Sequence, residues 1–171
     1  MILKVGDDDF GMICVDYMRD DFEGEFYISV SGVEFGSKLG SFDLKQFFMM
    51  MESQLFTYNS YVPDLWGISP EDIFEYLDSV WNDSEIDGCP VVENCPDSFD
   101  RPEDILSKII FYGGGYAFDG VDVVVVSNNE QSHFMIRSGT HGTPASVVIP
   151  RNHFNFIFKE LYLLWKEIRR I

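Results

Sequence analysis

No stretch of this sequence supplies the roughly 18 consecutive apolar residues from which a membrane-spanning helix is built. Residues 1–5, followed by Gly6 and three aspartates, hold neither an apolar core nor a small-residue cleavage site, so no secretory leader is expected. Cysteine is scarce: Cys14, Cys89 and Cys95 are three, an odd number, and read as reduced thiols of a cytoplasmic protein rather than as a disulfide framework. Basic residues are also few, 12 against 29 acidic for a net charge of −17. Phosphate contacts need clustered Lys and Arg, so nucleic acid is excluded as a direct ligand. Internal repeats and low-complexity segments are missing as well.

What is present is an aromatic-rich core. Sixteen Phe and eight Tyr in 171 residues, with 46% hydrophobic residues, suffice for one well-buried domain covering residues 1–171. The strongest signal lies at 118–137. Val121 to Val126 is interrupted only by Asp122, a β-branched run that reads as a strand covered on both faces. Asn128 and Asn129 suit a tight turn with positive φ, and residues 132–137 return antiparallel. Upstream, residues 1–5, 10–18, 25–31 and 33–35 read as a meander; Phe26, Ile28 and Val30 alternate with Tyr27, Ser29 and Ser31.

Helices are expected after Ser41 as N-cap, with Leu44, Phe47, Phe48, Met51 and Leu55 on one face, and after the cap-and-proline start Ser69-Pro70-Glu71-Asp72. A capping box at Asp100 to Glu103 opens a short helix ending at Gly113-Gly114-Gly115. Residues 145–149 read as a strand, and Pro150 opens a terminal helix with the stripe Phe154, Ile157, Leu161, Leu164, Trp165 and Ile168. The order strands, helices, strands, helix gives α+β with a mainly antiparallel sheet and helices packed on it.

Chemistry-bearing patterns are thin. Asp7-Asp8-Asp9 is an exposed turn, since oxygen-ligand loops space their acids around the ion. Cys89 and Cys95 lack the second ligand pair of a zinc site. His133, His141 and His153 fall on a strand, a loop and a helix start, none beside a nucleophile motif. Phe47 to Met51 fits core packing better than a partner groove on its spacing. No catalytic residue, cofactor or metal is therefore assigned, and the chain reads as no enzyme.

Charge is distributed unevenly. Through Ile105 the chain carries 24 acidic and 5 basic residues, a net of −19; the remainder carries 5 acidic and 7 basic, a net of +2. The irregular, acid-rich segment 82–100 is the candidate contact surface, with Asp78, Asp83, Glu85, Asp87, Glu93, Asp97 and Asp100 as its charges and Trp81 as an aromatic anchor. The same acids also suit a solvated loop.

Ala117-Phe118-Asp119-Gly120, the apolar strand, the polar turn and His133-Phe134-Met135-Ile136-Arg137 together resemble the S-F-D-G-W and R-L-I-W strands of immunity protein family 42. Met1-Ile2 with an early Gly-Asp turn, the strand from Phe10 and the helix after Pro150 are similar too; Val121 stands where the family has tryptophan. The resemblance implies an antitoxin that binds the toxic C-terminal domain of a polymorphic or contact-dependent toxin. An acidic inhibitor suits a basic toxin, a nuclease being one such class. A non-enzymatic adaptor of another bacterial system, and a small enzyme with a site near His141, are the alternatives.

Overall fold

A computed structural model of the chain describes residues 1–36, 40–57, 61–82, 84, 88–94, 103–110, 120–139 and 141–171, the side chains of 54–57 and 103 excepted. Strands β1 (Ile2–Gly6), β2 (Phe10–Asp16), β3 (Glu23–Val30) and β4 (Val33–Gly36) form an antiparallel meander in that spatial order, and the short β5 (Phe42–Asp43) pairs with β3. A second antiparallel sheet follows the order β6 (Val121–Ser127), β7 (Gln131–Ser138), β8 (Ala145–Pro150). The helices are α1 (Leu44–Thr57), α2 (Pro70–Trp81), α3 (Pro90–Glu93), α4 (Glu103–Ile109) and α5 (His153–Arg169), with a 3-10 turn at Pro63–Leu65. The α+β class expected from element order is what forms.

The valine run explains the layering. Val123 and Val125, with Phe134 and Ile136 of β7, face a core shared with the N-terminal sheet, α1 and α5. Phe10 meets Phe134 edge-on at 5.0 Å, and Phe134 stacks on Phe154 at 5.4 Å. Val124, Val126 and Met135 point the other way, into a second core with Ile73, Phe74 and Leu77 of α2, Val91 of α3, and Ile105 and Ile109 of α4. One sheet thus serves two cores, which is why its strands carry apolar side chains on both faces. In spatial order β7 is the middle strand; the outer edge of β6 is met by isolated bridges from Tyr61 to Ser127 and from Ile110 to Val124.

Close approach fixes the start of α1. A Cβ on Gly24 would lie 2.3 Å from the Val15 carbonyl and 2.4 Å from Leu44 Cδ1, so glycine alone lets α1 close on β3. Leu44, Phe47, Phe48 and Met51 are buried as their spacing implies, while Met49 is exposed.

Several local expectations are corrected. The cap of α1 is Asp43, not Ser41: Asp43 Oδ1 accepts from the Lys45 and Gln46 amides at 2.9 and 3.1 Å. A carboxylate there also meets the positive end of the helix dipole. The β6–β7 turn does not use positive φ at Asn128 or Asn129. Asn128 Oδ1 instead accepts from the Glu130 and Gln131 amides at 2.9 Å each, so a side chain substitutes for backbone twist. Strand β2 ends at Asp16, and α5 starts at His153 after Pro150 has closed β8. On α5, Leu164 and Ile168 are 37% and 40% exposed; Phe158 takes the inward position instead. The expected Asp100 cap and the Gly113–Gly115 stop lie outside the described residues.

Candidate functional site

Helix α2 begins as its sequence dictates. Ser69 Oγ accepts from the Asp72 amide at 3.1 Å and donates to Asp72 Oδ2 at 2.6 Å, with Pro70 at the first helical position. The helix buries Ile73, Phe74, Tyr76 and Leu77 and carries Asp78 along its flank. Asp78 is bound bidentately by Arg137, Nη1 to Oδ2 and Nη2 to Oδ1, both at 2.7 Å. Asp122, directly opposite Arg137 in the β6–β7 register, accepts from the same guanidinium at 2.7 and 3.2 Å. The guanidinium also lies over the Phe74 ring at 4.6 Å.

Arg137 is 3% exposed. Burial by itself would lower its pKa, but the hydrogen bonds of Asp78 and Asp122 hold it above its ordinary value. One cation faces two carboxylates, whose side chains keep 25% and 17% exposure, so the group leaves net negative charge at the surface. Trp81, three residues beyond Asp78 and hence on a neighbouring part of the helix surface, is 49% exposed. Glu93, the last residue of α3, is exposed too. Of the eight contact residues expected from sequence, Asp78, Trp81 and Glu93 are therefore placed, with Asp78 committed to an internal pair. Asp83, Glu85, Asp87, Asp97 and Asp100 lie outside the described residues.

Sequence reasoning missed Asp122 and Arg137 as members of this group. The signal was available: an acid interrupting a valine run and an arginine fifteen residues on sit opposite one another once the hairpin closes. It missed a second group as well. Asp16, wholly buried, accepts from Trp165 Nε1 at 2.6 Å, from Arg169 Nε at 2.7 Å and Nη2 at 2.5 Å, and from the Met18 amide at 2.6 Å. Burial would raise its pKa, yet Arg169 and these amide and indole donors hold it below the usual carboxylate value.

The histidines do not converge. His133 packs edge-on to Trp66 at 6.3 Å, and burial lowers its pKa. His153 lies by Phe10 and Phe156, and His141 is exposed. Cys14 is buried with its thiol pushed up to about 12, first by burial and then by the Asp16 charge, so it is no nucleophile at neutral pH. Among the described residues, no group of three or more His, Cys, Asp or Glu is arranged to hold a metal. No described helix is long and apolar enough to cross a membrane.

The comparisons with known proteins bear on this arrangement. No curated protein matches the sequence. Among solved structures, the crystal structure of CdiI from Burkholderia dolosa AUO158 is similar, with a TM-score of 0.67 and 15% identity over 94% of this chain and 99% of that one; this likeness speaks to the fold. The family model of immunity protein 42 matches residues 1–163, which includes both sheets, all five helices through most of α5, and the hairpin that carries Asp122 and Arg137. The chain belongs to the immunity protein 42 family, and its function is that of an antitoxin which neutralises a cognate toxin.

Proposed function

We propose that the toxin neutralised by this chain is a cationic domain, such as a nuclease of a contact-dependent or polymorphic toxin, and that it is bound in the bacterial cytoplasm. The carrying observation is the net charge of −19 gathered in the first 105 residues. A domain that attacks nucleic acid has a basic surface, and an acidic inhibitor complements it, accelerating encounter and disfavouring wrong partners. Inhibition is by binding, with no chemical step of this chain's own. The contact surface proposed is the end of α2 and the segment after it: Trp81 as anchor, Asp78, Glu93, and Asp83, Glu85, Asp87, Asp97 and Asp100. Support comes from the half-exposed indole of Trp81 beside partly exposed carboxylates. Aromatic anchors with a charged rim are the usual anatomy of a tight interface.

Calorimetry with the toxin domain encoded beside this chain, at two salt concentrations, tests the reading. Tight binding that weakens as salt rises is expected. Binding indifferent to salt would remove the cationic toxin from the proposal, and wild-type affinity after Trp81→Ala would remove the α2 anchor.

A further inference from the structure

The N-terminal sheet has a second face that the core does not use. Val5, Met12, Phe26 and Ile28 point inward with α1 and α5. Alternation sends the remaining side chains outward, and the register sets Ile2, Val15 and Glu25 in one row across β1, β2 and β3, with Ile13 and Tyr27 in the next; Ile13 and Ser29 on this face are buried, Val15, Glu25 and Tyr27 half-buried. Ile2, Lys4, Tyr17 and Glu34 are exposed there. An antiparallel sheet commonly turns one face to water, but that face is then polar throughout. Here Ile2 is 70% exposed and Tyr17 40%.

The two tyrosines are fixed. Glu25 accepts from the Tyr27 hydroxyl at 2.5 Å and from the Tyr17 hydroxyl, which holds two phenol rings about one carboxylate. Its hydrogen bond pushes the Tyr27 pKa up to about 12, so that ring stays neutral at any physiological pH. Charge on this side is mostly of one sign: Glu23, Glu25 and Glu34 on the strands and Asp20 and Asp21 in the β2–β3 loop, against Lys4, Arg19 bonded to Glu23, and Lys45 and Arg169 over Phe22 of that loop.

The adjoining loop is tied to Asp16 and to α5. Met18 and Phe22 have φ of 60° and 59°, left-handed values that bulky side chains rarely adopt. Asp16 takes the Met18 amide, Arg169 Nη1 donates to the Arg19 carbonyl at 2.8 Å, and the Arg169 guanidinium lies over Phe22 at 5.0 Å. A surface set in advance loses little freedom on association.

One face of the Tyr17 ring already carries Arg19 at 5.7 Å, so the Tyr27 ring, the exposed aliphatic groups and the carboxylates are what this side offers to a partner's Lys and Arg side chains. We infer that the outward face of the N-terminal sheet, centred on Tyr17, Glu25 and Tyr27, is a second contact surface for the cations of the cognate toxin domain, in addition to the end of α2. The inference rests on the reading that the toxin is cationic.

The test uses the full chain and the toxin domain encoded beside it, with affinity read at two salt concentrations for the wild type, Tyr27→Ala, Glu34→Lys and Trp81→Ala. Tyr27→Ala is expected to weaken binding about tenfold or more. Glu34→Lys, at an exposed position of β4, is expected to weaken binding and flatten its salt dependence. Wild-type affinity in both sheet variants, with Trp81→Ala impaired, would overturn this docking face and leave the cationic toxin standing. Salt-indifferent binding by the wild type would overturn the cationic toxin and this face with it.

Discussion

Replacing Arg169 by alanine removes the guanidinium bound to Asp16, a carboxylate with no exposure at all. Breaking a buried ion pair by deleting one partner costs about 3–5 kcal/mol, because the other charge is left uncompensated. Asp16 retains the Trp165 indole and the Met18 amide, both at 2.6 Å, so the lower end of that range applies, about 3 kcal/mol. For a chain of this size each kcal/mol moves the melting temperature by about 2–4 °C, which gives a fall of about 6–12 °C. The sign of its pH dependence can be worked out. In the wild type Asp16 is held below the ordinary carboxylate value, so its contribution is complete above that unfolded value and is lost as pH falls through the folded one. In Arg169→Ala, burial raises the carboxyl instead, and the deficit shrinks as the group protonates on acidification. Adding Asp16→Asn to Arg169→Ala removes the stranded charge and should recover part of the loss. Calorimetric melting at pH 7 and pH 4 reads all three proteins. A single variant that melts within about 2 °C of wild type at pH 7, or whose deficit grows at pH 4, would refute the account of Asp16 as a compensated buried charge.

Arg137→Met leaves Asp78 and Asp122 facing one another and should destabilise by about 2–4 kcal/mol in urea unfolding, less than a full burial penalty because both carboxylates reach solvent. Phe48→Ala removes a wholly buried ring that touches Phe26, Tyr162 and Trp165, and should cost about 3–5 kcal/mol by the same assay. Asn128→Ala deletes the side-chain acceptor of the β6–β7 turn, for a loss of about 1 kcal/mol and faster amide exchange at Gln131. Cys14 should resist iodoacetamide in the native protein at pH 8 and react once unfolded, as read by peptide mass mapping; rapid native labelling would contradict a buried thiol with its pKa near 12.

Much of the architecture could be read in the sequence because it is set by local chemistry. The alternation of β3, the Ser69-Pro70 start of α2 and the two-faced valine run each specify their own element, whatever surrounds them. The same holds for the acidic excess, and the family resemblance was legible in the hairpin. The misreadings were choices between neighbouring options of similar local energy. Asp43 and Ser41 are both good caps, and only the pairing of β5 beside β3 leaves Asp43 at the helix start. Leu164 and Phe158 both fit a helical stripe, and the packing of α5 on Phe48 chooses Phe158.

By itself the sequence determined the class of fold and the location of negative charge, since each follows from composition or local pattern, and the motifs of its hairpin carried the resemblance to the family. It could not pair Asp16 with Arg169, 153 residues away, nor Asp78 with Arg137, 59 residues away. Nor could it show that Tyr17 and Tyr27 share one carboxylate. Those partnerships depend on which faces the sheets and helices turn to one another. A chain with 29 acids and 12 bases offers many such pairings of equal local merit, and tertiary packing decides which of them form.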